Sequence, residues 1–171
     1  MRPRLLVGGA LSAVALAAAA CSSSTSATTT TAPPNPATAQ ADITSAYQAE
    51  FNFSDKNLAD KEAAVEDGTA LAPGLQLAMS SSLAGNTSGA RVNSVTLLSS
   101  SACKAVKATV PCASVKYDIL AGSGVAVLPN QTGYASYIGG KWLVARQTIC
   151  GLLDLFYGTE KLKGPPPGCP A

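Results

Sequence analysis

The chain has 171 residues, of which 47% are hydrophobic, with 12 basic residues, 10 acidic residues and no histidine. The absence of histidine excludes Ser-His-Asp and Cys-His catalysis and most catalytic zinc sites. The small net charge argues against a nucleic-acid partner, because phosphate binding requires a clustered basic face. We therefore expect no cofactor, no metal and no nucleic acid.

The first twenty residues have the pattern of an export signal. Arg2 and Arg4 supply positive charge ahead of the uncharged apolar run from Leu5 to Ala20. This run is shorter than the roughly 20 residues that a helix needs to cross a bilayer, so a retained transmembrane helix is the weaker interpretation.

The segment from Leu16 to Cys21 is similar to a bacterial lipobox, except that Ala18 stands where most lipoboxes carry leucine. The similarity predicts that Cys21 receives fatty acyl chains such as palmitate and becomes the N-terminus of a membrane-anchored lipoprotein. Several acyl chains hold a protein on a membrane stably, whereas one binds reversibly. The alternative is cleavage by the general signal peptidase, which releases a secreted protein.

Residues 22–40 are uncharged and rich in Ser, Thr, Ala and Pro, so they predict a disordered tether after the lipidated Cys21. Removal of residues 1–20 takes away Arg2 and Arg4 and leaves ten basic and ten acidic residues. The length that remains predicts one globular domain over 41–158, followed by a Pro-rich tail over 159–171.

Helical spacing of apolar residues predicts three helices in the first half of the domain. The first starts at a cap on Thr38 or Asp42 and is marked by Ile43, Ala46, Tyr47 and Phe51. The second covers 55–67 and stops at Gly68. The third is shorter and lies around residues 73–83.

From Arg91 onward the apolar period changes to two, which predicts strands. Four candidates are Val92–Ser99, Ala113–Leu120, Tyr134–Ile138 and Lys141–Gln147. Helical spacing returns after Thr148 and ends at Gly158. Helices followed by an antiparallel sheet predict an α+β fold, in which a curved sheet of about four strands covers the helices in a cystatin-like or nuclear-transport-factor-like arrangement with a short C-terminal helix.

The four cysteines beyond Cys21 predict two disulfide bonds, because their number is even and the chain is exported. Local pairing is favoured, with Cys103 bonded to Cys112 between neighbouring strands and Cys150 bonded to Cys169 in the tail. A zinc site is the alternative, but the spacings are unlike paired C-x-x-C motifs.

Four stretches resemble the actinobacterial low-molecular-weight antigen family of exported proteins. They are Phe53 with Asn57, Leu58 and Lys61; Val65–Gly68; Val115–Leu120; and Gly140–Arg146 followed by Thr148 and Cys150–Leu153. The resemblance implies an exported α+β domain of nuclear-transport-factor-like fold without enzyme activity.

Asp118 is the candidate catalytic residue if the domain is a pocket enzyme, with Tyr117 or Tyr134 beside it. Strand alternation places Asp118 on the face opposite Tyr117, which favours an exposed carboxylate. Glu66 and Asp67 are expected to end a helix, and Trp142 is expected to fill the core beside Tyr134 or Ile138.

The leading hypothesis is a non-catalytic binding or interaction module, displayed outside the cytoplasmic membrane as a surface antigen. Its partner is an unknown protein or an apolar small molecule held in a cavity on the inner sheet face, and the sequence identifies no ligand-binding residue. The alternatives are a small-ligand enzyme that uses Asp118 and a structural subunit of an envelope complex.

Overall fold

The computed structural model describes residues 34–81 and 84–170, so the predicted signal segment, Cys21 and the first part of the predicted tether lie outside the described residues. The described residues form five α-helices, a short 3-10 turn at Ala84–Asn86 and four strands. In chain order these are α1 (Pro36–Phe51), α2 (Leu58–Ala64), α3 (Gly68–Ser80), β1 (Thr87–Leu97), α4 (Ser100–Ala105), β2 (Cys112–Ala121), β3 (Ala126–Ile138), β4 (Lys141–Val144) and α5 (Arg146–Thr159).

The four strands form one antiparallel sheet in the order β1-β2-β3-β4. Its register shifts twice between β1 and β2 and twice between β2 and β3. Such irregularities bend strands and increase their twist, which is how an antiparallel sheet curls around a helical layer. The predicted α+β fold with a curved four-stranded sheet and a C-terminal helix is therefore confirmed.

Helix α1 begins earlier than predicted. Its cap is Asn35, whose side chain accepts a hydrogen bond from the Ala37 amide at 3.0 Å, and Pro36 occupies the first turn. Proline is well suited to this position, because its missing N–H has no helical partner there. The predicted caps Thr38 and Asp42 are thus inside the helix, and the last residues of the segment predicted to be a tether are helical.

The second predicted helix, over 55–67, is shorter in the structure, and the third begins earlier than predicted. Helix α2 ends at Ala64, Asp67 adopts a left-handed conformation with φ 55°, and Gly68 starts α3 where the sequence predicted a stop. A Cβ atom at Gly68 would lie 2.1 Å from the carbonyl oxygen of Glu62, so only glycine permits this close approach of the two helices.

Three strands are longer than predicted and one is shorter. Strand β2 gains one residue at each end, Cys112 and Ala121. Strand β1 starts at Thr87 and β3 at Ala126, because pairing with β2 extends into segments that lack a clear alternation of apolar residues. Strand β4 ends at Val144, Ala145 is the N-cap of α5, and residues 146–147 belong to that helix. The backbone amide of Arg146 donates to Oε2 of Glu66 at 3.2 Å, so a carboxylate from another part of the chain caps this helix.

The core lies between α1 and the concave face of the sheet. Val115, Tyr117 and Ile119 of β2 are buried on that face, as their alternation predicted, and Tyr47 of α1 packs edge-on against Tyr117. The Tyr47 hydroxyl donates to the Tyr134 carbonyl oxygen at 3.0 Å. Burial raises the pKa of Tyr47 well above its usual value, so this phenol stays neutral and keeps its proton for the hydrogen bond.

Trp142 is buried as predicted, but its aromatic partner is Tyr137, at a ring-centroid distance of 5.3 Å. The predicted neighbours were Tyr134 and Ile138. The register between β3 and β4 decides the difference, because it places Trp142 directly opposite Tyr137.

Disulfide bonds join the pairs that were favoured from the sequence, Cys103 with Cys112 and Cys150 with Cys169. The first differs from the prediction in one respect, because Cys103 lies in α4 and the bond holds this helix, not a second strand, against the start of β2. The second fastens the Pro-rich tail to α5. The tail is also held by Arg146, whose guanidinium donates two hydrogen bonds to the Gly168 carbonyl oxygen.

Candidate functional site

An apolar cavity of about 350 Å³ lies between the helical layer and one end of the curved sheet. Helices α1, α3 and α5 supply most of its walls. The ends of β1, β2 and β3, together with Phe53, Ser81 and Ala84, supply the rest. The lining residues are Glu50, Phe51, Phe53, Leu75, Ala78, Ser81, Ala84, Thr87, Ile119, Val127, Leu128, Ile149, Leu152, Leu153, Leu155, Phe156 and Thr159. The space is more than twice the roughly 150 Å³ of an engineered apolar cavity that holds benzene.

The rim of the cavity is apolar as well. Leu155 of α5 is 54% exposed and Val127 of β3 is 41% exposed, and both line the cavity. Exposed aliphatic side chains at the entrance allow an apolar molecule to leave water before it reaches the interior.

Glu50 is the one titratable side chain among the described residues that line the cavity. It is 1% exposed, and its Oε2 atom has no hydrogen-bond partner in the described part of the chain. Burial raises the pKa of Glu50 to about 8, and the positive charge of Lys61 limits the rise. Near pH 7 this carboxyl group is therefore mostly protonated, and it then carries an O–H donor beside an apolar space.

Lys61 of α2 is the nearby cation, and it is fully buried. Its ammonium group donates to the carbonyl oxygens of Ala49 and Asn52, at 2.5 and 2.7 Å, at the C-terminal end of α1. A cation is favourable at a helix C-terminus, where carbonyl groups lack helical partners. Burial lowers the pKa of Lys61, while nearby carboxylates, Glu50 first among them, raise it.

The prediction that Asp118 is an exposed carboxylate is wrong, because its side chain is 8% exposed. Arg91 of β1, the residue opposite in the register, donates to Oδ2 from Nη2 at 2.7 Å, and the backbone amide of Asn130 donates to Oδ1 at 2.8 Å. The hydrogen bond from Asn130 and then the contact with Arg91 lower the pKa of Asp118. Asp118 does not line the cavity, so the structure does not bring it together with Tyr117 or Tyr134 in a pocket.

Glu66, predicted only to end a helix, is a buried link between distant elements. Its carboxylate accepts hydrogen bonds from the hydroxyl groups of Thr109 and Ser136, and from the backbone amide of Arg146. Asp67 forms an ion pair with the same arginine at 3.1 Å. In the described ranges, no group of three or more His, Cys, Asp or Glu side chains is arranged to hold a metal ion.

Glu50 and Lys61 were not predicted as site residues, although the position of each is recognisable in the sequence. Glu50 lies three residues after Tyr47 and seven after Ile43, so it falls on the apolar face of α1. Lys61 lies three residues after Leu58 on the short α2. A charged residue on the apolar face of a helix is unexpected unless it is paired or neutral, and this is the pattern that identifies such positions.

Two other hollows are less suitable for a ligand. One lies between α1, α2 and β4 and is lined in part by Asp42, Asp55 and Asp60; the other lies beside the turn between β2 and β3. Both are more open to solvent and more polar than the inner cavity. The inner cavity is therefore the candidate binding site.

The curved sheet, the helical layer and the cavity between them define a small α+β domain with an apolar internal cavity. Residues 35–159 match the family described as low molecular weight antigen MTB12, C-terminal domain, and the chain belongs to this family. It is a family of secreted antigens. No curated protein and no solved structure gives a significant match to the chain.

The described residues contain no helix that is both long enough and apolar enough to cross a membrane. The longest described helix, α1, has 16 residues.

Proposed function

We propose that the domain is a non-catalytic binding module that holds an uncharged, largely apolar small molecule in the cavity between α1, α3, α5 and the sheet. The observation that carries the proposal is the cavity itself, whose walls and rim are almost entirely apolar. Transfer of apolar surface from water into such a space is favourable by about 25 cal/mol per Å². A cavity of 350 Å³ is within the range of about 300–1,000 Å³ that is typical of ligand pockets.

The same proposal places the module outside the cytoplasmic membrane. Membership of a secreted antigen family and two disulfide bonds support export, because disulfides persist in oxidising surroundings. The lipobox-like segment that ends at Cys21 supports a lipid anchor. The intact mass of the mature protein tests this point: acyl chains on an N-terminal Cys21 are expected, and a soluble product with an unmodified thiol would show that the protein is secreted instead.

A neutral fluorescent probe, phenylnaphthylamine, tests the binding function. Its emission rises in apolar surroundings, so we expect saturable enhancement with the native domain. The variant Ala78→Phe should abolish the enhancement, because residue 78 lines the cavity on α3 and the larger ring occupies the space.

Ala41→Phe is the matched control, because Ala41 is exposed on α1 and lines none of the hollows. It should bind the probe as the native domain does. Equal binding by both variants, or no saturable binding by the native domain, would refute a ligand-holding role. In that case, recovery of the domain in a stable complex from membranes would support the structural alternative.

A further inference from the structure

The geometry points to a ligand with one hydrogen-bond acceptor, such as a ketone or ester carbonyl, which accepts a hydrogen bond from the Glu50 carboxyl group while the rest of the molecule fills the cavity. This inference rests on the proposed function and deepens it. It assigns Glu50 as the residue that selects the polar end of the ligand.

Glu50 has unmet hydrogen-bonding capacity. Within the described ranges, side-chain atoms that are buried without a hydrogen-bond partner occur on two residues, Glu50 and Gln147. Gln147 lines none of the hollows, whereas Glu50 lines the apolar cavity. A buried polar group without a partner is destabilising, and such groups are usually retained where a ligand or another function requires them.

The charge of Glu50 has no direct partner. No ion pair joins Glu50 to Lys61, because the lysine ammonium is bound by two backbone carbonyl groups. A carboxylate at this position would therefore lack a direct counter-ion in an apolar surrounding. Burial accordingly holds the Glu50 carboxyl group in its neutral form near pH 7, and a neutral carboxyl group has a proton to donate.

Among the groups that face Glu50 from the neighbouring elements, the charged group is the ammonium of Lys61 on α2. The residues of α3, α5, β2 and β3 that line the cavity are uncharged, and Tyr117, which stacks on the adjacent Phe51, is kept neutral by burial. A ligand cation would be repelled by Lys61 and a ligand anion would require its own desolvation beside a neutral acid, so an uncharged acceptor fits best.

Competition for the fluorescent site tests the inference with four compounds that share one ring system: naphthalene, methyl naphthyl ketone, naphthoate and naphthylmethylammonium. At about pH 6, where Glu50 is protonated, the ketone should displace the probe at about fivefold lower concentration than naphthalene, which corresponds to one net neutral hydrogen bond. The anion and the cation should bind more weakly than the ketone.

Two variants separate the role of Glu50 from a general effect on the fold. Glu50→Leu removes the donor, so the ketone should lose its advantage over naphthalene. Glu50→Gln keeps an N–H donor, so the advantage should remain. In the native domain the advantage should disappear at about pH 9, where Glu50 is ionised, whereas in Glu50→Gln it should persist. Lys61 titrates in the same surroundings in the two variants, because neither carries the Glu50 charge that raises its pKa in the native domain.

The inference is overturned if the native domain binds ketone and naphthalene equally, if the ketone keeps its advantage in Glu50→Leu, or if either charged compound binds better than the ketone at about pH 6. None of these outcomes contradicts the proposed binding of apolar molecules in the cavity. If the fluorescent probe itself does not bind, the proposed function fails and the inference fails with it.

Discussion

The pH dependence of stability gives the sharpest test of the buried carboxyl group, with Glu50→Gln as the perturbation. The pKa of Glu50 is raised from 4.5 to about 8 in the folded domain, and in the unfolded chain it is ordinary. Between these two values the folded state holds a proton that the unfolded state releases. The contribution of Glu50 to the free energy of unfolding is therefore highest below the ordinary pKa. It falls as the pH rises towards the pKa of the folded state, and above that pKa no further stability is lost.

The expected magnitude follows from the linkage relation. One proton held only by the folded state lowers the free energy of unfolding by about 1.4 kcal/mol per pH unit, so the change from about pH 5 to about pH 7.5 amounts to roughly 3 kcal/mol. Glutamine at position 50 does not titrate, so this contribution is absent from the variant. Burial lowers the pKa of Lys61, so Lys61 acts in the opposite direction. Its contribution is larger in the variant, which lacks the Glu50 charge that raises this pKa, and this adds to the expected shift in favour of the variant.

Urea unfolding of the native domain and of Glu50→Gln, measured at several pH values across this range, provides the assay. The difference between their free energies of unfolding should shift in favour of the variant by roughly 3 kcal/mol as the pH rises. Glu160→Gln is the matched control, because residue 160 is exposed after α5, and it should show no such trend. A difference that stays constant for Glu50→Gln, or an equal slope for the control, would refute the assignment of a neutral buried carboxyl group.

Three further results are expected. Replacement of both Cys150 and Cys169 by serine should lower the free energy of unfolding by about 3 kcal/mol in denaturant unfolding, because the bond closes a loop with a sequence separation of 19; an unchanged midpoint would contradict this value. Glu66→Ala should cost about 3 kcal/mol by the same measurement, because it leaves the fully buried Ser136 hydroxyl without its charged acceptor, and a cost below about 1 kcal/mol would show that the link is dispensable. Asp118→Asn should leave probe binding unchanged, since this residue is outside the cavity. A binding defect in Asp118→Asn would instead support the pocket-enzyme alternative. The pKa of Asp118 is lowered in the folded state, so the native domain should lose more stability than this variant as the pH falls below about 4.

Local patterns predicted the types of most elements. Apolar spacing identified the region of α1, the inward face of β2 and the C-terminal helix, because these segments have a clear period of their own. The predictions failed where another segment decides the conformation. Strand β3 begins at Ala126 because β2 offers it a partner, and β4 ends at Val144 because Glu66 caps the helix that follows.

The candidate site was less accessible from the sequence than the fold. An apolar cavity on the inner sheet face was expected, but Asp118 was the only acidic residue considered for it. Asp118 is instead bound by Arg91, its cross-strand neighbour, and by the amide of Asn130. The register between β1 and β2 and the path of β3 create both contacts. Neither the register nor the path can be read from the residues next to Asp118 in the sequence.

The amino-acid sequence by itself determined the order of the helices and strands apart from α4, which it did not predict, together with the favoured cysteine pairing and the family resemblance, because these depend on neighbouring residues and on short loops. Only the tertiary structure decided that Glu50 lies in the wall of an apolar cavity and that its carboxyl group is neutral. A pKa depends on the solvent and charges around the group, and here helices and strands from distant parts of the chain exclude the water while Lys61 supplies the charge.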